Sequence, residues 1–270
     1  MGIISHFPGG SAGGGTGMPE YTYTGNASLI DDGDGNWRIK FLTSGVLTFT
    51  KLGSAKGGLD VFLVGGGCAG GSGNWDANNG YGKAGSGGYT KTQKGVQAAV
   101  NTAYSIVIGA GGQSAFASGG DTSAFGVTAG GGTKLGGGSG GGAYGNTQVN
   151  NGGSDGGNGY PQNAANIGID HWGSPGKGQG TTTREFGEST GTLYAGGGGA
   201  GGNGSAQAKG GSGGGGNGAW NGNQPSNGAW NGNQPSSGAA NTGGGGGGMY
   251  SNLTNVGKGG SGIVVIRNHR

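Results

Sequence analysis

Runs of consecutive glycine constrain this chain more than any other feature. They recur from 65–67 to 243–248, and the stretch 195–248 is the richest in them. Glycine loses more backbone entropy on ordering than any other residue. Such runs therefore either remain flexible linkers or pack side by side as extended, polyproline-II-type helices whose missing Cβ atoms allow close approach. We favour packing, because Asn, Ser, Lys and aromatic residues interrupt the runs at spacings that suit antiparallel segments joined by exposed tips.

Composition excludes collagen and argues against simple disorder. Glycine supplies 82 of the 270 residues, but there are only 6 prolines and no strict triplet repeat, as collagen would require. Charged residues make up 9%, too few for self-repulsion to keep the chain open. The net charge is +3, and the basic residues are scattered singly, so no nucleic acid partner is expected. No apolar run approaches the length of a transmembrane helix, so membrane insertion is not expected either.

Short alternating or apolar segments near the two ends of the chain predict β-strands. They are 21–24 with 28–30, 37–42, 46–50, 59–64, 89–92, 104–108 and 263–266, with weaker candidates at 127–128 and 192–194. Residues 96–100 could form one helical turn, too short to be stable alone. The predicted fold is all-β: a small antiparallel β-sandwich with an inserted polyglycine-II helix array and no significant α-helix.

This layout predicts three regions. Residues 1–20 form a flexible leader or attachment arm. Residues 21–110, together with 261–267, build the β-sandwich. Residues 111–260 form the glycine-rich polyglycine-II domain, which displays exposed loops.

Residues that could carry catalysis or bind a metal are few. Asp32, Asp34 and Asn36 match the opening of a calcium loop, but Trp37 replaces the turn glycine and Thr43 the bidentate Glu, so a hairpin turn is favoured over a cation site. The three histidines lie far apart, and no acidic pair is spaced for acid–base work. We therefore expect no enzyme, no catalytic residue, no metal and no cofactor. The turn TREFGE, which holds Glu185 and Glu188, is expected to be exposed, and Cys68 to be a small buried filler.

Aromatic residues within or beside the glycine-rich stretches are better candidates for function. The decapeptide NGAWNGNQPS occurs twice in tandem, at 217–226 and 227–236. Trp and Tyr beside Asn, Ser and Gly have the composition of recognition loops, which combine rigid contact area with adaptable hydrogen bonds. The alternative is that these rings only cap the ends of glycine segments. The predicted ligand-binding residues are Trp75, Tyr81, Tyr144, Tyr160, His171, Trp172, Trp220 and Trp230.

Several segments together carry a family resemblance. YTYTG, WRIKFLTSG, DVFLVGGG, YSIVIGAGG, TTTREFGESTGTLYAGGGG and the closing GGSGIVVIR resemble the glycine-rich domains at the ends of tail fibre proteins from phages and prophages of gut Firmicutes. The resemblance covers nearly everything after residue 20. The layout of glycine runs also resembles the polyglycine-II tip adhesins of contractile-tailed phages and the glycine-rich extracellular domain of anaplastic lymphoma kinase. No catalytic residue carries over from these families.

The resemblance implies a receptor-binding protein (an adhesin) at the tip of a phage or phage-like tail, and so a location in the virion, outside the host cell. The implied partners are a host cell-surface receptor and a tail fibre or baseplate protein, with a homotrimer as one possible assembly. A surface glycan is the favoured receptor, because aromatic rings beside Asn and Gln suit sugar faces and hydroxyls; a surface protein is the alternative. The competing hypothesis is a structural fibre or filament subunit whose glycine-rich region mediates self-assembly.

Overall fold

The computed structural model describes residues 17–71, 82–134, 182–201, 207–219, 233–249 and 255–270. These residues contain ten β-strands and two 3-10 turns, Ala55–Gly57 and Glu185–Gly187, and no α-helix is found among them. The strands are β1 (Glu20–Tyr23), β2 (Ala27–Gly33), β3 (Asn36–Phe41), β4 (Gly45–Lys51), β5 (Leu59–Val64), β6 (Thr90–Val96), β7 (Ala103–Val107), β8 (Thr122–Ala124), β9 (Val127–Ala129) and β10 (Ile263–Asn268).

Two antiparallel five-stranded sheets form the sandwich, which confirms the predicted fold class. The first has the order β1-β4-β7-β8-β9 and the second β2-β3-β10-β5-β6. Strand β10 lies between β3 and β5, with Val264 opposite both Phe41 and Leu63. The second sheet is therefore completed only by the last strand of the chain.

The core between the sheets is built from the inward positions of alternating strands. In β3 the residues Trp37, Ile39 and Phe41 are fully buried, while the intervening Arg38 and Lys40 face outward. This alternation is the period of two expected of a strand with one buried face. Strands β5 and β10 differ, because all six residues of each are buried. Both of their faces must therefore be covered.

The outer face of the second sheet is covered by a connecting segment that the sequence did not indicate. Residues 182–194, which we call the clasp, lie on the outer face of the second sheet, where Phe186 and Tyr194 pack against Phe62. The expectation of an exposed turn at TREFGE is wrong, since Glu185 and Phe186 are each only 5% exposed. No strand forms at 192–194. The helical turn predicted at 96–100 is also absent, because β6 continues through Val96.

The segment between β2 and β3 forms the predicted hairpin turn. Asp34 and Gly35 have φ values of 54° and 75°, the left-handed region that tight hairpins favour. The Asp32 carboxylate is occupied by Arg38, with both oxygens 3.0 Å from Nε, and by Arg270 at 2.6 Å. These residues form a turn with an ion pair.

Glycine-rich segments continue directly from strand ends on one side of the sandwich. Val64 leads into 65–71, and Ile263 follows 255–262. Because Ile263 pairs with Val64 and Thr90 pairs with Val64, these segments start side by side. We call the set of ten segments the glycine array: 65–71, 82–89, 109–112, 116–121, 130–133, 195–201, 207–219, 233–239, 243–249 and 255–262. Sandwich and array thus alternate along the chain, and β8 and β9 join the first sheet from within 111–260.

Backbone hydrogen bonds between array segments repeat every three residues. In 65–71, the amides of Gly65, Cys68 and Gly71 donate to carbonyls of segment 82–89 at 2.8–2.9 Å. The amides of residues 66 and 69 donate to 116–121, and those of 67 and 70 to 255–262. A period of three with no bond inside the segment is what a polyproline-II-type helix requires. The polyglycine-II helix itself, a matter of backbone dihedrals, stays a prediction.

In segment 243–249 of the array every residue is buried. Added Cβ atoms at the successive positions Gly245, Gly246 and Gly247 would lie 1.8–2.0 Å from carbonyl oxygens of three different neighbours. A triple helix crowds only every third residue, whereas this segment is crowded on all sides, which explains the uninterrupted glycine run. Backbone hydrogen bonds link it to 65–71, 82–89, 195–201, 207–219, 233–239 and 255–262.

Candidate functional site

The aromatic and histidine residues predicted to bind a ligand fall between the parts of the chain that the structure describes. What the structure does describe is the backbone that flanks them. The predicted residues outside the described ranges are Trp75, Tyr81, Tyr144, Tyr160, His171, Trp172, Trp220 and Trp230.

Four of the intervening segments, 72–81, 202–206, 220–232 and 250–254, have flanks that meet at the end of the array away from the sandwich. The Gly71 carbonyl accepts from the Met249 amide at 3.1 Å. Gly82 and Gly201 exchange backbone hydrogen bonds of 3.2 and 3.0 Å. The Ala219 amide donates to the Gly248 carbonyl at 2.8 Å. We call this group of flanking residues the distal end. It brings together the attachment points of Trp75, Tyr81, Trp220 and Trp230, which are far apart in sequence.

The other predicted residues belong to a segment that leaves the array elsewhere. Residues 135–181 follow Thr133 and Lys134, and the Thr133 carbonyl accepts from the Ser86 hydroxyl at 2.6 Å. Ser86 in turn accepts from the Cys68 amide, midway along segment 65–71. Tyr144, Tyr160, His171 and Trp172 therefore are not anchored at the distal end.

The tandem decapeptides begin and end on a backbone clamp. Asn217 opens the first copy and Ser236 closes the second. The Ser236 amide donates to the Asn217 carbonyl at 2.9 Å, and the Asn217 amide donates to the Ser236 hydroxyl at 2.7 Å. Residues 233–239 run back along the array, and the Gly247 amide donates to the Ser236 carbonyl. The repeats are thus held by the packed glycine segments at both ends.

A charged network, which the sequence did not reveal, fixes the clasp to the second sheet. Glu185 accepts from Lys40 Nζ at 2.5 Å, from Arg38 Nη1 at 2.6 Å and from the Tyr194 hydroxyl at 2.6 Å. Burial alone would raise the pKa of Glu185, but these partners outweigh it and hold that pKa below its usual range. The same burial, together with the charge of Glu185, raises the pKa of Tyr194. The network therefore favours the charged form of Glu185.

A second cluster ties the end of β10 to the same face. The fully buried Asp60 accepts from Arg267 Nε at 3.1 Å and contacts His269 Nδ1 at 2.6 Å. Arg267 also pairs with Glu188, and its guanidinium lies 4.0 Å from the centre of the Phe186 ring. Because Asp60 is fully buried, removing its cationic partner would leave an uncompensated buried charge, at a large cost in stability.

Cys68 is the buried thiol that the sequence predicted, and burial raises its pKa to about 11. No group of three or more His, Cys, Asp or Glu residues within the described ranges is placed to hold a metal ion. Those ranges also hold no helix with the length and hydropathy needed to cross a membrane.

Comparison with known proteins places this architecture in a family. No curated protein matches the sequence. The family model described as a glycine-rich domain matches residues 42–269, which include seven of the ten strands, β4 to β10, and the whole glycine array. Because the match covers most of the chain, the protein belongs to the glycine-rich domain family.

Proposed function

We propose that this protein binds a host-surface receptor at the tip of a phage or phage-like tail. In this proposal the glycine array, packed as polyglycine-II helices, is a rigid scaffold, and the segments anchored at its distal end are recognition loops. A surface glycan is the favoured receptor. The observation that supports the proposal best is the meeting of four sets of flanking residues at the distal end.

Rigid anchoring is the physical advantage of such a scaffold. A loop whose two ends are held by packed backbone has less conformational freedom to lose when it binds. Gly71, Gly82, Gly201 and Met249 are buried and joined by backbone hydrogen bonds, so the loop ends are held within one layer. Trp75, Tyr81, Trp220 and Trp230 would then be presented on a common surface.

The position of Gly17 also favours display from the distal end. The Gly17 carbonyl accepts from the Ser54 amide at 2.8 Å, and Gly17 lies against Gly35 in the β2–β3 turn. That turn is at the end of the sandwich opposite the array. An attachment arm formed by the residues before Gly17 would therefore mount the protein with its array pointing away from the tail.

The test is adsorption to host cells by protein carrying Trp220→Ala and Trp230→Ala. Adsorption should fall at least about tenfold, the equivalent of about 1.4 kcal/mol of binding free energy. Tyr89→Ala is the matched control, because Tyr89 is an aromatic residue 36% exposed at the junction of sandwich and array. If the folded double variant adsorbs like the wild type, the segment 220–232 is not a receptor contact.

The accessibility of segment 220–232 in the assembled particle distinguishes the receptor-binding role from the competing structural role. Cys68 is buried, so Trp220→Cys would introduce the thiol that reacts readily. A receptor-binding tip should be labelled by a maleimide in the assembled particle. Protection on assembly would instead indicate a filament subunit that buries this segment between neighbours.

A further inference from the structure

The outer face of the first sheet differs from that of the second in being open to solvent. On the second sheet the clasp packs over β5 and β10, and all six residues of each strand are buried. On the first sheet, Val46 in β4 and Val107 in β7 are both 42% exposed. The described part of the chain therefore covers one outer face of the sandwich and leaves the other exposed.

The strand register arranges the side chains of this face in rows. Val46 is opposite Ser105, and Val107 is opposite Ser123, which is itself opposite Thr128. Directly opposed residues of neighbouring strands project from the same side of a sheet, and the residues that alternate with them along each strand are buried in the core. The two exposed valines are diagonal neighbours and form one patch with the hydroxyl-bearing residues around them.

This face carries no charged side chain. Every outward position of β4, β7, β8 and β9 is Ser, Thr, Ala or Val. On the outer face of the second sheet, by contrast, Arg38, Lys40 and Arg267 all form ion pairs. The centres of protein–protein interfaces are depleted of charged residues relative to the rest of the surface. The composition of the first sheet's outer face is therefore typical of a contact surface.

The edges of both sheets have features that oppose strand pairing between molecules. Strand β6 exposes Lys91 and Lys94, β2 contains Asp31, and β1 begins with Glu20. Strand β9, at the remaining edge, has only three residues. Charged residues and short strands at an edge hinder pairing with another chain. Association through the neutral face is therefore favoured over extension of either sheet.

We propose that this face binds the same face of a second copy of the chain, in a two-fold symmetric dimer. In such a contact the patch meets itself, so a charged residue near the axis would face a like charge. A neutral face avoids this repulsion, and it has no charge with which to attract an oppositely charged partner. Its small and β-branched side chains allow two sheets to pack face to face, about 10 Å apart. The dimer does not depend on the receptor function proposed above, because the face contains no residue of the distal end.

The size of the face determines how strong the dimer is. Strands of three to seven residues, spaced about 4.8 Å apart, give a face of roughly 400 Å². Two copies would then bury roughly 800 Å², which is less than permanent interfaces bury and typical of weak, reversible ones. We expect a dissociation constant on the order of 10–100 μM.

The experiment is analytical ultracentrifugation of the full chain over a range of concentrations. The mass should rise from monomer to dimer between about 5 and 200 μM, with little dependence on salt because no ion pair is screened. Ser105 is the middle residue of the middle strand of the sheet, so Ser105→Lys should weaken the dimer at least about tenfold through like-charge repulsion. Ser212→Lys is the matched control and should dimerise as the wild type does. It changes an exposed serine in an array turn held on the clasp side by the hydrogen bond from Gly196 to Gly213.

A second variant and the distal-end variant complete the test. Thr128→Lys, at an exposed position of the edge strand β9, should also weaken the dimer and replaces Ser105→Lys if that variant does not fold. The proposal is overturned if the wild type stays monomeric up to about 200 μM, if it forms trimers, or if the folded lysine variants dimerise normally. The Trp220→Ala, Trp230→Ala protein should dimerise as the wild type does. Loss of the dimer there would assign self-association to the distal end and would equally overturn the proposal, whereas its adsorption to cells tests the receptor function separately.

Discussion

Most glycines of segment 243–249 are required by contact rather than by backbone angle. At Gly246 the φ angle is not in the left-handed region, but an added Cβ would lie 1.8 Å from the Gly257 carbonyl oxygen. The atom in the way belongs to the backbone, so no side-chain rotation can relieve the clash. The backbone of the neighbouring segments thus requires glycine at successive positions of segment 243–249.

Gly246→Ala should therefore destabilise the protein by about 3 kcal/mol, at the upper end of the cost of overpacking. The measurement is the free energy of unfolding from denaturant titration. Gly57→Ala is the control, because nothing lies within 4 Å of the Cβ it would add, and it should change stability by less than about 0.5 kcal/mol. Equal stability of the two variants would contradict the packed array.

The carboxylates of Glu185 in the clasp and Asp32 in β2 predict that the fold is sensitive to acid. Burial raises the pKa of Asp32, but Arg270 and Arg38 outweigh it and lower that pKa, as Glu185's partners lower its own. In the unfolded chain both groups titrate near pH 4, at roughly the values of model peptides. The unfolded state therefore binds more protons below that point, and the free energy of unfolding should fall as the pH drops from about 5 through the folded pKa values.

Glu185→Gln should flatten this decline and lower stability at pH 7 by roughly 3 kcal/mol, because Arg38 and Lys40 lose a buried partner. Denaturant titrations between pH 7 and pH 3 measure both effects. Glu20→Gln serves for comparison, since its pair with Lys51 is exposed and such pairs contribute little. A wild-type pH profile in Glu185→Gln would rule out this origin for the acid sensitivity.

At the scale of elements, the tandem decapeptides are an insertion whose ends are fixed. Because each copy opens with Asn and closes with Ser, one copy offers the same clamp as two. The clamp lies in the array, between Asn217 and Ser236, and the hydrogen bonds that form it involve only these end residues. The number of copies can therefore change without altering the scaffold.

Deletion of residues 221–230 should leave a folded protein with one complete copy, NGAWNGNQPS. Stability should change by less than about 1 kcal/mol, because the entropy of loop closure varies slowly with length. Ser236→Ala, which removes the acceptor of the Asn217 amide, should cost about 1 kcal/mol and serves as the comparison. Thermal unfolding measures both. A deletion far more harmful than Ser236→Ala would mean that the repeats themselves support the array.

At the scale of the whole molecule, sandwich and array form one connected backbone. Segment 255–262 of the array leads directly into β10, and 65–71 leaves directly from β5. The clasp joins the two parts a second time, since Tyr194 packs on the outer face of β5 and the array continues from Ala195. We expect the array to be as well ordered as the sheet from which it extends.

Amide hydrogen exchange tests this directly. The amides of 243–249 are buried and most donate to neighbouring segments, so their protection should approach that of β10. The exposed residues 189–192 of the clasp provide an internal reference for fast exchange. Exchange of 243–249 at the same rate as this reference would show a flexible array and remove the basis for loop display.

The sequence alone determined the fold class, the positions of most strands and the need for glycine. Alternation at Trp37, Ile39 and Phe41, and the continuous apolar runs of β5 and β10, are local patterns that follow from which faces are buried. The hairpin at Asp34–Gly35 is equally local. These features could be predicted because neighbours along the chain carry the signal.

Only the tertiary structure decided how the strands divide between two sheets, where the clasp lies and which flanking residues meet at the distal end. Glu185 finds Lys40 across 145 residues of chain, and Gly71 meets Met249 across a still longer separation. A glycine run has no side chain to identify its partner. Its neighbours are determined by the strands from which the glycine segments extend. For this physical reason, the residues that anchor the loops could not be predicted from sequence patterns.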